Sequence, residues 1–378
     1  MLRSEMRRNV LSRVGALCVA FAAGSIGCRN ATNELPRGCV ELESALVIQS
    51  GEGRARQAPL LFDIRGGAVL SDGRIVILNR GSRQLLYFSA YGRFLEAVGR
   101  EGRGPGEFTD PRWLGRGGGD TVLIWDPALA RLTTFDGTTL LRTLVPRGPG
   151  APRPSTSIIG RFADGSFLTR PRGVGFFPSP NGVLRLPESY DRYDPASDTV
   201  IHLHDGRSIE WAVGNRGRYT RPFGKEDIVA ARGDRMVIGD NGTSDIRVYE
   251  LNGRLDRIVR LPSEVAPVTE QDRSRYGEYM REEHPRFPLA TELDFPDERP
   301  RFSTIIADEL DWIWVESYAA EWEPPGSWLI FDESGALQCE VGFPDRVQVL
   351  EIGTTYVLAK RWEESGEQSV IRYTLLRN

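Results

Sequence analysis

At 378 residues the chain could hold two or three average domains, although closed all-β architectures often reach this length as one unit. Its 41 Gly and 24 Pro favour many turns, and 40% hydrophobic residues supply a core without a membrane-spanning segment. A formal charge of −4 gives no electrostatic footprint for a nucleic-acid partner.

Arg3, Arg7, Arg8 and Arg13 precede the apolar run VGALCVAFAAGSI at 14–26. That run is too short to cross a bilayer and has the length of a secretory signal core, so export is expected. It ends in SIGC, which resembles a bacterial lipoprotein signal, although Ser25 stands where leucine is usual. The resemblance implies a signal peptide at 1–27, a lipidated Cys28, a tether at 28–39, and a place in the bacterial cell envelope facing the periplasm or exterior. The lipid would be the only membrane contact. Cleavage near AFAAG (20–24), which leaves a soluble envelope protein, is the other reading. Removing residues 1–27 takes out four Arg and one Glu, so the formal charge falls to −7.

Cys18 lies inside the signal and Cys28 would carry acyl chains, which leaves Cys39 and Cys339 as an even pair in an oxidising compartment. A disulfide between them and two buried thiols that never meet both stay open, because spacing does not reveal connectivity.

A unit then recurs six times: a turn with Gly or Asp, a short apolar strand, and a polar residue. The copies are SDGRIVILN (71–79), GGDTVLIWD (118–126), ADGSFLTR (163–170), RGDRMVIGD (232–240), DELDWIWVE (308–316) and IGTTYVLAK (352–360). A preceding apolar stretch and two following strands make each unit four antiparallel strands. The sixth stops one strand short at VIRYTLLRN, and VELESALVIQ (40–49) has no partner of its own. The expected fold is therefore an all-β, six-bladed β-propeller over 40–378 whose last blade is closed by the N-terminal strand.

GREGRGPGEFTDP (99–111) and the pattern DG.IVIL...R.LLYF resemble the NHL-repeat group and the bacterial six-bladed propeller lipoproteins near it. The resemblance spans roughly 55–376 and implies the fold, because its glycines and aspartates shape turns in enzymes and inert scaffolds alike. The glycine-rich stretch is not a phosphate cradle: Pro105 removes a donor, no Gly-Lys-Ser/Thr follows, and strand rather than helix comes next. It reads as a connector between blades, with Phe108 packing in the next blade.

Longer spacing between copies marks insertions at 171–187, 205–222, 262–301 and 317–327. In an antiparallel blade all of these emerge on one side, and loops held by a rigid scaffold are where binding concentrates. Trp322, Arg218, Tyr279 and Arg103 are the candidate binding residues on that face, for a protein, peptide or glycan of the envelope met by a monomer. The 262–301 insertion carries a helix capped by Thr269 with Asp272 and ended by Pro285, either packed on the blade tops or serving as a lid.

The residues closing the second strands, Asn79, Asp126, Arg170, Asp240, Glu316 and Lys360, occupy equivalent positions and are expected to form a central ring near the insertion-bearing face. Three carboxylates with Asn79 resemble the oxygen ligands calcium prefers, as in propeller lactonases and arylesterases. This implies the alternative of a calcium-dependent hydrolase. Arg170 and Lys360 in the same ring can satisfy all six by ion pairing, so no cofactor and no metal is expected. A non-catalytic scaffold is the third reading. Zinc lyase chemistry and a Ser-His-Asp triad are disfavoured, because the only histidines are His202, His204 and His284 and no Gly-x-Ser-x-Gly elbow occurs.

Overall fold

A computed structural model describes residues 39–49, 59–171, 182–214, 217–262, 264–283, 294–363 and 366–377. Cys28, His284 and Pro285 lie outside these residues. Six four-stranded antiparallel sheets follow one another along the chain. Their inner strands are Ile64–Val69, Trp113–Arg116, Ser157–Arg161, Asp227–Arg232, Phe302–Ala307 and Val347–Ile352, and residues of all six line one axial cavity.

The hydrophobic core is a set of layers between neighbouring sheets, because each sheet presents both faces to its neighbours. Blade 1 packs on blade 2 through Val76, Leu78, Tyr87, Leu114, Val122 and Phe135. Its other face packs on blade 6 through Ile75, Ile77, Leu86, Leu358 and Val370. Second strands are therefore buried on both sides: every residue of Ile75–Asn79 is buried. That is why these strands read as continuous apolar runs instead of alternating with polar residues.

Blade 6 is completed from the other end of the chain. Val40–Ile48 pairs antiparallel with Gln368–Arg377, with Val40 opposite Arg377 and Ile48 opposite Val370. Leaving Gln368–Arg377 uncovered would expose a ten-residue strand edge, the template for aggregation that closed architectures remove. The Cys39–Cys339 disulfide ties the start of this closing strand to the outer strand of blade 5, Leu337–Val341, across 300 residues of sequence. On the chain-entropy view a loop that long contributes up to about 5 kcal/mol.

The connector after blade 1 is a turn structure. Gly99 and Gly106 have φ of 91° and 73°, where L side chains are strained, and a Cβ on Gly99 would meet the Phe108 ring at 2.7 Å. Phe108 is fully buried between blades 1 and 2, with its ring centroid 6.3 Å from that of Phe135. Glu107 accepts the Gly104 N–H at 2.7 Å, and Arg131 holds the carbonyls of Arg103 and Glu107.

Connections from inner to second strand and from third to outer strand are short, so one face has only tight turns. The opposite face carries the insertions, and two of those are not independent loops. Gly182–Leu184, Trp211–Gly214 and Gly217–Thr220 form one three-stranded antiparallel sheet, which joins the 171–187 and 205–222 segments. The helix spans Glu270–Glu283 and starts with a reciprocal cap: the Thr269 N–H donates to Asp272 at 2.8 Å, and the Asp272 N–H donates to Thr269 Oγ1 at 3.2 Å.

Candidate functional site

The six residues expected to form a central ring lie on second strands, one per blade. Asn79, Asp126, Arg170 and Asp240 end second strands, Glu316 and Lys360 lie one and two residues before the ends of theirs, and none of the six lines the axial cavity. Each serves its own surroundings. Asn79 accepts the Phe62 N–H at 3.0 Å and donates to the Leu60 carbonyl and Ser82 Oγ, both at 2.9 Å. The fully buried Asp126 accepts four backbone N–H groups, from Thr109, Asp110, Ala128 and Leu129, at 2.7 to 3.3 Å. Arg170 pairs with Glu188 at 3.2 Å and Asp240 with Arg185 at 2.6 Å. Glu316 accepts from Ser303 and Thr304, and Lys360 donates to the Ile64 carbonyl at 2.8 Å. The polar atoms of Asn79 and Asp126 hold connecting segments, whereas those of Arg170, Glu316 and Lys360 bond residues of neighbouring strands. Among the described residues no group of three or more His, Cys, Asp or Glu could hold a metal ion.

The candidate binding residues divide into two kinds. Trp322 and Tyr279 meet, with ring centroids 5.7 Å apart. Both belong to a satellite cluster in which Trp322 also packs edge-on against Phe223 at 6.1 Å and Tyr276 at 6.3 Å, with Phe295 and Tyr318 completing it. The helix therefore has a small core of its own, assembled from four separate segments. Arg218 and Arg103 are exposed instead. Arg218 projects from the side sheet with its guanidinium 4.5 Å above the Trp211 ring, and Arg103 sits on the glycine-rich connector.

Arg299, which the sequence reading did not single out, organises the helix base. It makes two hydrogen bonds to Asp272, contacts both Glu323 oxygens at 2.8 and 3.0 Å, and stacks 5.6 Å from the Phe223 ring. Desolvation on burial works against its charge, but the hydrogen bonds it donates to the Asp272 and Glu323 carboxylates outweigh this and raise its pKa above the ordinary arginine value. Beside it opens a cavity of about 470 Å³ lined by Thr269, Asp272, Arg275, Arg299, Trp322 and Glu323. The cavity thus combines a planar aromatic wall, two guanidinium groups and two carboxylates, which can make stacking and charge-assisted hydrogen-bond contacts. A second cavity on this face, about 400 Å³, lies between blades 1, 2 and 3 and is lined by Arg65, Asp110, Arg112, Trp113, Trp125 and Thr156.

Electrostatic perturbation on this face centres on the start of the blade 4 inner strand. Burial pushes the Lys225 ammonium down to about 8 and raises the Glu226 and Asp227 carboxyls above their usual range. Lys225 donates to the Glu298 carbonyl at 2.6 Å, which ties this strand to the segment after the helix. Three adjacent charged residues in the sequence, KED at 225–227, were the available signal for this cluster. His202 and His204 lie on the outer strand of blade 3, Thr199–Arg207, away from both cavities.

The sequence profile of the DUF5128 family, described as a 6-bladed beta-propeller, matches residues 66–114, which cover the first blade and the start of the second. The chain is a six-bladed β-propeller. Among solved structures, this propeller is similar to a member of the duf4221 family from Bacteroides vulgatus, with a TM-score of 0.50 and 11% identity over 90% of this chain and 99% of that one. A candidate exported protein of Bacteroides fragilis gives a TM-score of 0.49 at 12% identity, covering 92% and 98% of the two chains. A Xanthomonas campestris gluconolactonase gives 0.44 at 12% identity, covering 89% and 100%. At such identities the likeness is one of fold, and the activity in the Xanthomonas protein's name is its own. No curated protein matches this propeller in sequence.

Proposed function

We propose that this propeller is exported, anchored in the bacterial envelope by a lipid on Cys28, and binds a peptide, protein or glycan through its insertion-bearing face. The observation that carries the binding reading is the 470 Å³ cavity where Trp322, Arg275, Arg299 and Glu323 converge from three separate segments on that face. The exposed Arg218 stacked on Trp211 supplies a second amphipathic contact of the kind that dominates recognition surfaces. Export is supported by the basic-then-apolar N-terminus and by the Cys39–Cys339 bond, which persists in oxidising compartments.

Peptide and glycan arrays probed with the mature protein test the binding face. Trp322→Ala and Arg218→Ala should each lose the wild-type signal, and Arg254→Ala, in a tight turn of the other face, should keep it. An absence of wild-type signal on both arrays, or equal signals from all variants, overturns the reading. Fractionation of cells carrying Cys28→Ser tests the anchor: the variant should leave the membrane fraction, and retention there removes the lipid from the account.

A further inference from the structure

The tight-turn end of the axial cavity carries a second charged cluster. The cavity, about 550 Å³, is lined there by Arg116, Arg161 and Arg232. These are the last residues of the inner strands of blades 2, 3 and 4, so the repeat delivers three guanidinium groups at equivalent positions. Blades 5 and 6 answer with Glu309 and Glu351. Arg116 lies 3.1 Å from Glu309 and 3.8 Å from Glu351, and Arg232 lies 2.9 Å from Glu309. The other Glu351 oxygen accepts from the Val69 N–H at 2.9 Å and the Tyr356 hydroxyl at 2.8 Å.

Arg161 is left out of this pairing. Its guanidinium makes no hydrogen bond or ion pair among the described residues, and its Nε is buried without a partner. The carboxylate nearest in sequence, Asp164, is hydrogen-bonded to Ser166 and Arg192 and acts on Arg161 only as a charge through space. A buried guanidinium donor with no acceptor is costly, and an arginine fork matches the paired oxygens of a carboxylate or phosphate. The acidic side of the cavity is also weakened, since burial raises the Asp311 and Glu351 carboxyls above their usual range. The axial cavity shares Trp113 with the 400 Å³ cavity but has no lining residue in common with the 470 Å³ cavity of the proposed binding face.

We propose that the tight-turn end of the axial cavity binds a small oxyanion, presenting a carboxylate or phosphate group, through the Arg161 guanidinium with Arg116 and Arg232 beside it. The inference stands independently of the insertion-face reading. The anion would complete the ring of charges by giving the third arginine the acceptor that Glu309 and Glu351 give the other two.

Calorimetric titration of the mature protein at low ionic strength with inorganic phosphate, and separately with succinate, tests this. Saturable uptake of one equivalent of at least one anion is expected, together with a higher melting temperature in its presence. Arg161→Gln should weaken that uptake by at least about tenfold, because charge-assisted hydrogen bonds are the strong ones. Arg161→Lys keeps the charge but loses the fork, and should fall between the two. Arg254→Ala removes an exposed arginine of the same face, already paired with Glu250, and should change affinity less than about twofold. Melting without anion reports whether each variant is folded, and Arg161→Lys carries the test if Arg161→Gln is not. Failure of the wild type to take up either anion saturably, or unchanged uptake in the folded Arg161 variants, overturns the proposal.

Discussion

The two faces of the propeller come from one repeated backbone pattern, yet their connections are closed by interactions of different range. On the tight-turn face, Asp72, Asp164 and Asp332 each accept the N–H two residues ahead, from Arg74, Ser166 and Ser334, at 2.9 to 3.0 Å. These are local turn bonds, complete within three residues of chain. On the insertion face, Asp126 reaches back to Thr109 and Asp110, Arg299 joins Asp272 to Glu323, and Arg221 joins Glu210 to Asp294. The difference lies in the turns themselves: those of the tight-turn face close locally, and its distant links, such as Ser71 with Asp120 and Arg116 with Glu309, run between blades, whereas on the insertion face the connections themselves depend on distant segments.

That comparison can be broken or sharpened by substitution. The largest effect is expected at Asp126, a buried acceptor of four backbone N–H groups on the insertion face. Asp126→Ala should cost about 3 kcal/mol in urea unfolding, since it takes the acceptor from several part-buried backbone donors at once. A loss as small as that of a turn aspartate would erase the distinction between the faces.

Lys360 gives a pH test. It is 6% exposed, and burial holds its ammonium down at about 8, below the ordinary lysine value near 10.5. The unfolded chain therefore binds this proton more readily between those two pH values, so stability should rise as pH goes from about 8 to about 10.5. The rise is at most about 3 kcal/mol for this group. Unfolding of Lys360→Met over the same range should lack that increment; an identical rise in the variant would mean that Lys360 is not the group relieved.

Trp322→Ala removes a wall of the helix's aromatic cluster and should cost about 2 kcal/mol, less than a core tryptophan because Trp322 is only partly buried. Tyr279 belongs to the same cluster, so combining Tyr279→Ala with it should be non-additive. On the other face, Asp72→Ala should cost only about 0.5 kcal/mol, as expected of an exposed turn bond. The Arg74 N–H holds the Asp72 carboxyl below its ordinary value, so its contribution is present above about pH 4 and is lost only as the pH falls through that lower value. The smallest effect belongs to Arg218→Ala, within about 0.5 kcal/mol by thermal or urea melting, because this arginine stands exposed on the side sheet.

What the sequence determined by itself was everything encoded within a few residues or by repetition. Turn residues at a regular step marked six four-stranded units, a missing strand implied closure by 40–49, and Thr269 with Asp272 marked the helix start. Each of these follows from short-range hydrogen bonding or from the need to bury a repeated apolar strand. The asymmetry between the faces was legible as well, because antiparallel connections alternate sides by geometry alone. Only the tertiary structure decided which side chains meet. It joined Cys39 to Cys339, merged two insertions into one sheet, and gathered Phe223, Tyr276, Phe295, Tyr318 and Trp322 into one cluster. It also gave Asn79, Asp126, Arg170, Asp240, Glu316 and Lys360 their separate partners, and lined the axial cavity with Arg116, Arg161 and Arg232. The physical reason is that strand position follows from the chain's own periodicity, whereas the partner of a polar group depends on segments tens or hundreds of residues away, whose approach no local pattern records.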